Sequence, residues 1–193
     1  MANDALGTPR IIADANVLFP ASLRDTLFRA HEVGLIDVRL STQIWEEVTR
    51  NLLSTGRMTQ GQVTHLDQAA REFFALQGML VEDYESLIPT LTCDPKDRHV
   101  LAAAIQVEAP TIVTVNLKDF PSASLAPFAI EVNHPDMFLD RLWNAHPIAL
   151  VNLLRAQAAA KTRPPQAVEQ LLDILAIHVP RFVAHVRPAA LTH

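Results

Sequence analysis

The sequence predicts an α/β protein with a central, mainly parallel sheet flanked by helices, followed by a small C-terminal all-helical appendage. Short β-branched or alternating segments are separated by longer segments of helical period, and strands joined through helices pair in parallel. Past residue 133 the strand-like segments end, and residues 135–187 have helical period and are rich in alanine and leucine. We therefore expect one domain over residues 1–132 and a helical extension over residues 133–193. A continuation of the first domain's own helical layer is the alternative.

Four strands are predicted in the first domain. The segment RIIA is a short apolar run that stops at Asp14. The second segment alternates apolar with charged residues, as a half-buried strand does, and TIVTV is the clearest β-branched run in the chain. The predicted strands span residues 10–13, 35–40, 111–115 and 129–132. A parallel arrangement brings their carboxyl ends to one edge of the sheet.

The predicted helices begin at polar capping residues or at proline. Ser22 and Asp25 resemble a capping box, and Gly34 follows the end of that helix. Pro95 takes the favoured first position of a later helix. The predicted helical spans are 22–33, 42–53, 59–77 and 95–107, and residues 80–93 are interpreted as an irregular connection. In the extension, three proline-containing breaks predict three or four helices.

The composition limits the classes of function. The 193 residues carry a formal net charge of −5, so the chain has no overall basic surface for nucleic acid. The single cysteine, Cys93, excludes an internal disulfide and a cysteine-based zinc site. The N-terminal segment lacks the apolar core of a signal peptide, and the chain has no apolar run long enough to span a membrane. We therefore expect a cytoplasmic protein that does not span a membrane.

Asp14 is the first candidate site residue. It follows the first predicted strand, as Asn116 follows TIVTV. Ligands of open parallel sheets collect at the carboxyl ends of the strands, so both side chains are expected at one edge. The alternative is that Asp14 caps the turn after its strand, a local role that we assign to Asn16 instead.

Asp97 is the second candidate. On a helical wheel of about 100° per residue it falls near the middle of the apolar stripe that includes Val100, Leu101 and Ala104. A carboxylate on the packed side of a helix needs a cation or hydrogen-bond donors. The alternative is that the acids of this segment only stabilise the start of the helix. We expect Asp94 to cap the helix and Asp97 to point into the site, and we keep Asp94 as a further candidate metal ligand.

The helix over residues 42–53 offers two adjacent acids. Its apolar stripe includes Ile44, Trp45 and Val48. Glu46 falls nearly opposite the centre of that stripe, whereas Glu47 lies at its margin, from which a side chain can reach over the edge of the sheet. We therefore expect Glu47 to be a site residue and Glu46 to be a solvated surface charge.

The segment TVNLKDF supplies the remaining candidates. Asn116 can donate and accept hydrogen bonds and is a candidate catalytic residue, and Asp119 adds charge one short turn later as a candidate catalytic residue and metal ligand. A tight turn held by Asn and Asp is the alternative. Several carboxylates at one edge suit a hard divalent cation, Mg²⁺ with Mn²⁺ as a substitute. Motifs of zinc peptidases, nucleotide-phosphate loops and serine hydrolases do not occur.

Together these segments resemble the PIN-domain family, and in particular VapC-type toxins. The resemblance rests on IIADANVLF, ST-x-I-x-x-E-V, DPKDRHVLAAA and IVTVNLKDF, which cover residues 10–120 in the family's order. It implies a PIN-like three-layer fold and carries Asp14, Glu47 and Asp97 onto the first three catalytic acids. The fourth family position is commonly Asp; here Asn116 stands at the strand end and Asp119 follows.

The resemblance also implies an activity and partners. Members of the family are usually metal-dependent endoribonucleases, often paired with a VapB-like antitoxin that blocks the acidic groove. We accordingly expect a Mg²⁺-dependent hydrolase of RNA phosphodiesters that acts as the toxin of a toxin–antitoxin pair, and we leave a homodimer open. The extension, with 6 Lys and Arg against 4 Asp and Glu, is a candidate contact for RNA or antitoxin.

Two other hypotheses compete with the nuclease. An aspartyl-phosphate phosphatase of the haloacid dehalogenase kind also begins with a strand and an Asp, but it requires a second Asp where this chain has Asn16. A non-catalytic PIN-like module could use the same acidic groove to bind a basic partner. Metal-dependent stabilisation separates the last hypothesis from the enzyme, because only a cage of carboxylates is stabilised by the ion.

Overall fold

The computed structural model describes residues 8–192, and it confirms an α/β fold with a C-terminal set of helices. Its strands are β1 (Arg10–Ala13), β2 (Asp37–Ser41), β3 (Leu80–Val81), β4 (Thr111–Val113) and β5 (Glu131–Asn133). Its α-helices are α1 (Ala15–Leu18), α2 (Ala21–Glu32), α3 (Thr42–Ser54), α4 (Gln60–Gln77), α5 (Arg98–Gln106), α6 (Ser122–Leu125), α7 (Pro135–Ala145), α8 (Pro147–Ala159), α9 (Val168–Ala176) and α10 (Pro180–Leu191). Short 3₁₀ helices span Glu85–Thr90, Leu117–Asp119 and Ala126–Phe128.

The five strands form one parallel sheet in the order β3-β2-β1-β4-β5. The central strand β1 is buried on both faces from Ile11 to Ala13, which explains why these three residues are all apolar. The chain moves outward from β1 to β3 and then returns across the sheet to β4 and β5. Right-handed crossovers therefore place α1 to α4 on one face and α5 and α6 on the other, which gives three layers.

All four predicted strands are present, but the structure has a fifth strand that was not predicted. Strand β3 lies inside the segment predicted to be irregular, and it pairs with β2 through only two residues. Strand β2 starts later than predicted because the N–H groups of Leu35 and Ile36 donate hydrogen bonds to the carbonyl of Ala30 near the end of α2. These two residues therefore belong to the helix end and not to the strand. Strand β5 also starts later, since Ala129 has a left-handed φ of 53° that no strand residue adopts.

Helices α3 and α4 start where their polar caps predicted. Ser41 accepts a hydrogen bond from the N–H of Ile44, and Thr59 forms a capping box with Gln62. The predicted capping box at Ser22 was wrong: α2 begins at Ala21, and Asp25 pairs instead with Arg29 at 2.9 Å.

Helix α5 starts three residues later than predicted, at Arg98. The carboxylate of Asp94 accepts a hydrogen bond from the N–H of Lys96 at 2.9 Å, which forms a local turn that competes with the helix. Asp97 has non-helical angles of φ −105° and ψ 1° and occupies the position before the helix. Pro95 therefore belongs to this turn rather than to the first turn of the helix.

Up to residue 192 the C-terminal extension has four helices, α7 to α10, which agrees with the three or four predicted, and α7, α8 and α10 begin with proline. Within the extension, the buried carboxylate of Asp140 on α7 pairs with Arg181 at 2.7 Å and with His185 on α10. Buried apolar side chains of the extension belong to the same cluster as those of the sheet and its helices. No helix within residues 8–192 combines the length and apolar character needed to cross a bilayer.

A buried polar contact joins the extension to α2. The side chain of Gln157 on α8 is fully buried, accepts a hydrogen bond from Thr26 at 2.8 Å and donates one to the carbonyl of Ser22 at 2.9 Å. We expect Gln157→Ala to lower the free energy of unfolding by about 1–3 kcal/mol, because a buried pair of hydrogen bonds is lost. Urea denaturation measures the change.

The matched control for that prediction is Gln106→Ala, because Gln106 is an exposed glutamine near the end of α5. This change is expected to alter the free energy of unfolding by less than about 0.5 kcal/mol. Equal effects of the two substitutions would show that the buried contact does not stabilise the fold.

Candidate active site

Asp14 lies at the carboxyl end of the central strand. Its N–H extends the ladder to the carbonyl of Val113 at 3.1 Å, and its side chain is 3% exposed. Oδ1 accepts a hydrogen bond from the N–H of Ala15 at 2.6 Å and so begins α1. The local capping role that the sequence assigned to Asn16 is therefore filled by Asp14.

The second oxygen of Asp14 is held by two side-chain donors. Oδ2 accepts from Thr114 Oγ1 and from Asn16 Nδ2, each at 2.6 Å. Burial raises the pKa of Asp14, and these hydrogen bonds lower it in part because they favour the ionised form. The sequence analysis did not identify Thr114, although a hydroxyl at the end of a β-branched strand beside the first strand was a usable signal.

Glu47 and Asp97 approach the same edge of the sheet from α3 and from the turn before α5. Glu47 is half-buried, and its pKa is raised by burial and by the charges of Asp14 and Asp97. The pKa of Asp97 is raised to about 6 by burial and by the charges of Asp14, Asp119 and Asp94. Acids that far apart in the chain influence each other only because the fold brings them close together. Glu46, in contrast, is exposed, as its position on the wheel predicted.

A polar cleft of about 700 Å³ contains most of the predicted residues. Its lining residues are Gln43, Glu47, Arg50, Asn51, Asp94, Pro95, Lys96, Asp97, Asn116 and Asp119. The backbone joins its two rims, because the N–H of Asp94 donates to the carbonyl of Asp119 at 3.2 Å. Asp14 lies beneath this cleft, close enough to raise the pKa of both Glu47 and Asp97. The fold therefore gathers Asp14, Glu47, Asp97 and Asp119 at one edge of the sheet.

Two further expectations, about where individual residues lie, were wrong. Asn116 does not follow the strand directly: β4 ends at Val113, so Thr114 takes the place beside Asp14 and Asn116 is exposed before the 3₁₀ helix. Asp94 does not cap α5, since its carboxylate closes the turn on Lys96. Asp97 occupies the capping position instead, and in the described part of the chain its side chain makes no capping hydrogen bond.

The chemistry of the donor set fits a hard divalent cation. The acids offer oxygen atoms only, and the cations that line the cleft, Arg50 and Lys96, are outnumbered by the carboxylates. As placed, no three His, Cys, Asp or Glu side chains among residues 8–192 lie close enough together to hold a metal ion. Besides burial, repulsion from Asp14, Asp119 and Asp94 raises the pKa of Asp97, and a bound ion would relieve that repulsion.

His99 is a second residue that the sequence analysis did not identify. It lies in the first turn of α5, it is 3% exposed, and its Nε2 is 3.4 Å from Oε1 of Glu47. Burial lowers its pKa. No pattern in the sequence relates these two residues, because they stand on different helices and meet only in the folded chain.

The raised pKa of Asp97 predicts how stability depends on pH in the absence of metal. The folded state binds the proton more tightly than the unfolded chain, so the stability that this proton contributes is lost as pH rises from 3.8 towards about 6. With a chelator present, we expect the melting temperature to rise when pH falls from 7 to 5. Asp97→Asn should weaken that rise; an identical pH profile in the variant would contradict the assignment.

Comparisons with known proteins cover both parts of the chain. A family model described as "PIN domain" matches residues 10–118, and one described as "VapC50 C-terminal domain" matches residues 135–188. The chain is 40% identical over 104 residues to a protein of Mycobacterium tuberculosis named "Putative ribonuclease VapC50". That alignment spans 54% of this chain and 62% of the relative, so less than two thirds of the relative is covered. No solved structure gives a significant match.

Proposed function

Since this chain belongs to the PIN-domain family, we propose that it is a metal-dependent endoribonuclease that hydrolyses RNA phosphodiester bonds. One observation carries the proposal: acids from four separate segments lie at the carboxyl edge of the sheet, where burial and the charges of neighbouring acids raise the pKa of Glu47 and of Asp97. The name of the 40% identical relative, a ribonuclease, supports the same activity. The domain division at residue 132 also stays a proposal, supported by the two family matches on either side of it.

We assign Asp14, Glu47 and Asp97 as ligands of the ion, with Mg²⁺ as the physiological ion and Mn²⁺ as a substitute. A divalent ion bound there would polarise the scissile phosphate and lower the pKa of the attacking water. Asp14 is fixed for this role by the hydrogen bonds to both of its oxygens. Its position on the central strand gives the site a rigid floor.

The residues at the rim of the cleft have the supporting roles in this proposal. Asp119 adds a negative charge near the ion, and the exposed Asn116 orients water or RNA. Asp94 adds negative charge at the rim, although one of its oxygens is already used by Lys96. The side chain of Arg50 is 68% exposed and can contact the phosphates of an incoming strand.

The experiment for the activity is cleavage of total RNA by the purified chain with Mg²⁺, with Mn²⁺ and with a chelator. We expect cleavage only with a metal. The chain offers a matched pair of variants, because Glu46 and Glu47 are neighbours on α3 and only Glu47 faces the cleft. Glu47→Gln should lower the rate at least about 10-fold, whereas Glu46→Gln should leave it within about twofold. Equal rates in both variants would remove Glu47 from the proposal, and equal rates with and without metal would remove the metal.

We further propose that the chain is the toxin of a toxin–antitoxin pair with a VapB-like partner. Support comes from the names of the relative and of the family that matches residues 135–188. We expect a neighbouring reading frame to encode a small protein. That protein should copurify with this chain and inhibit its cleavage of RNA. RNA cleavage that such a neighbour leaves unchanged would contradict the partner and leave the nuclease intact.

The RNA cleavage assays with and without metal also test the competing hypotheses. Membership of the PIN-domain family leaves the phosphatase without support, and Asn16 is engaged with Asp14 and Thr114. A non-catalytic acidic module would bind a basic partner with or without Mg²⁺ and would cleave no RNA under any metal condition.

A further inference from the structure

His99 has an unusual environment for a histidine. Its side chain is 3% exposed, and its Nε2 meets no hydrogen-bond partner among residues 8–192, which the structure describes. A buried polar atom without a partner destabilises the fold, because the hydrogen bonds that it made to water are not replaced. The adjacent residues Val100, Ala102 and Ala103 on α5 are fully buried and apolar, so a leucine would serve packing at this position without that cost.

The nearest carboxylate to this atom belongs to the candidate site. Nε2 of His99 is 3.4 Å from Oε1 of Glu47, only a few tenths of an ångström beyond a normal N–H···O hydrogen bond. Arg50 approaches the same oxygen from solvent at 3.8 Å, but its side chain is 68% exposed, and a contact of that kind contributes little. The imidazole is thus the only one of these two partners that is fixed in place by packing.

We propose that His99 is a positioning residue for Glu47, whose carboxylate it holds towards the acidic cleft by a hydrogen bond from Nε2 to Oε1. This bond requires the imidazole proton on Nε2, because two facing lone pairs would repel, and the backbone of Lys96 is a competing acceptor for the ring. The bond leaves Oε2 of Glu47 for the ion. This inference rests on the proposed function, since it concerns how a proposed metal ligand is oriented.

The test compares two amides that differ in reach. The amide nitrogen of glutamine occupies a position close to that of histidine Nε2, whereas the amide nitrogen of asparagine corresponds to Nδ1 and cannot reach Glu47. We expect His99→Asn to weaken Mn²⁺ binding by about 10–100-fold, as the loss of a partner of a metal ligand commonly does. His99→Gln should keep the dissociation constant within about threefold of the wild type. The dissociation constant is measured from the rise in melting temperature during a Mn²⁺ titration.

A control separates positioning from simple destabilisation. Val100→Ala removes buried packing from the same turn of α5 and should lower the melting temperature without changing the dissociation constant for Mn²⁺. Equal Mn²⁺ affinities of the Asn and Gln variants would overturn the role of His99 while leaving the nuclease proposal intact. If the wild-type chain itself neither binds Mn²⁺ nor cleaves RNA, the proposed function fails, and the inference falls with it.

Discussion

Asp14→Asn is expected to lower kcat/KM for RNA cleavage by at least about 100-fold, the scale on which a preorganised charge at a reacting centre acts. Asparagine has the size of aspartate but no charge, so the ion loses the ligand that the protein holds most rigidly. The surrounding hydrogen bonds also change. The two carboxylate oxygens accept hydrogen bonds from Ala15, Asn16 and Thr114, and in the variant an NH₂ group replaces one of these oxygens and faces a donor. Single-turnover cleavage of a labelled RNA measures the loss.

The control for Asp14→Asn must show that the fold survives. Circular dichroism of the variant should stay close to that of the wild type, and its melting temperature should stay above the assay temperature, since the lost hydrogen bonds are offset in part by removal of a charge that burial disfavours. A folded variant that keeps more than about a tenth of the wild-type rate would exclude Asp14 from the chemistry. The exposed Glu46→Gln variant provides the reference for the loss of one acid outside the cleft.

A divalent ion is expected to stabilise the fold strongly. At a concentration of about 100 times its dissociation constant, Mn²⁺ or Mg²⁺ should add about 2.7 kcal/mol to the free energy of unfolding. For a chain of this size that corresponds to a rise in melting temperature of about 5–10 °C. The rise should be largest above pH 6, because protons compete with the ion for Asp97 below its pKa of about 6.

The matched variants for the metal titration are Asp97→Asn and Asp67→Asn. Asp97 faces the cleft, whereas Asp67 lies on α4, where it pairs with Arg71 at 2.9 Å. The first substitution should reduce the stabilisation by the ion, and the second should leave it unchanged. A wild-type chain that gains no stability from either ion would favour the non-catalytic acidic module.

The sequence predicted the elements that have long periods or clear caps. Helices α3 and α4 were placed within about one residue because Ser41 and Thr59 mark their starts. Strand β3 was not predicted, since two residues carry no period and its pairing with β2 is a tertiary contact. The start of α5 was wrong because the side chain of Asp94 forms a turn with nearly the same residues that would cap a helix.

The site was predictable as a set of acids but not as a network. The ends of parallel strands and the margin of one helix pointed to Asp14 and Glu47, and the resemblance to the PIN-domain family is confirmed by the family match. Thr114 and His99 could not be found in the same way. Their roles depend on contacts across strands and across helices, and those contacts exist only once the chain has folded.

The buried contact between Gln157 and α2 limits how this protein can be recombined with its relatives. Because α8 and α2 share a polar pair inside a continuous apolar core, a chimaera that receives the tail of another family member must also receive the matching face of α2. Grafts that keep Ser22 and Thr26 together with a glutamine at the position of Gln157 should express as folded protein. Grafts that break this match should have a lower free energy of unfolding, so the two regions are expected to vary together among relatives.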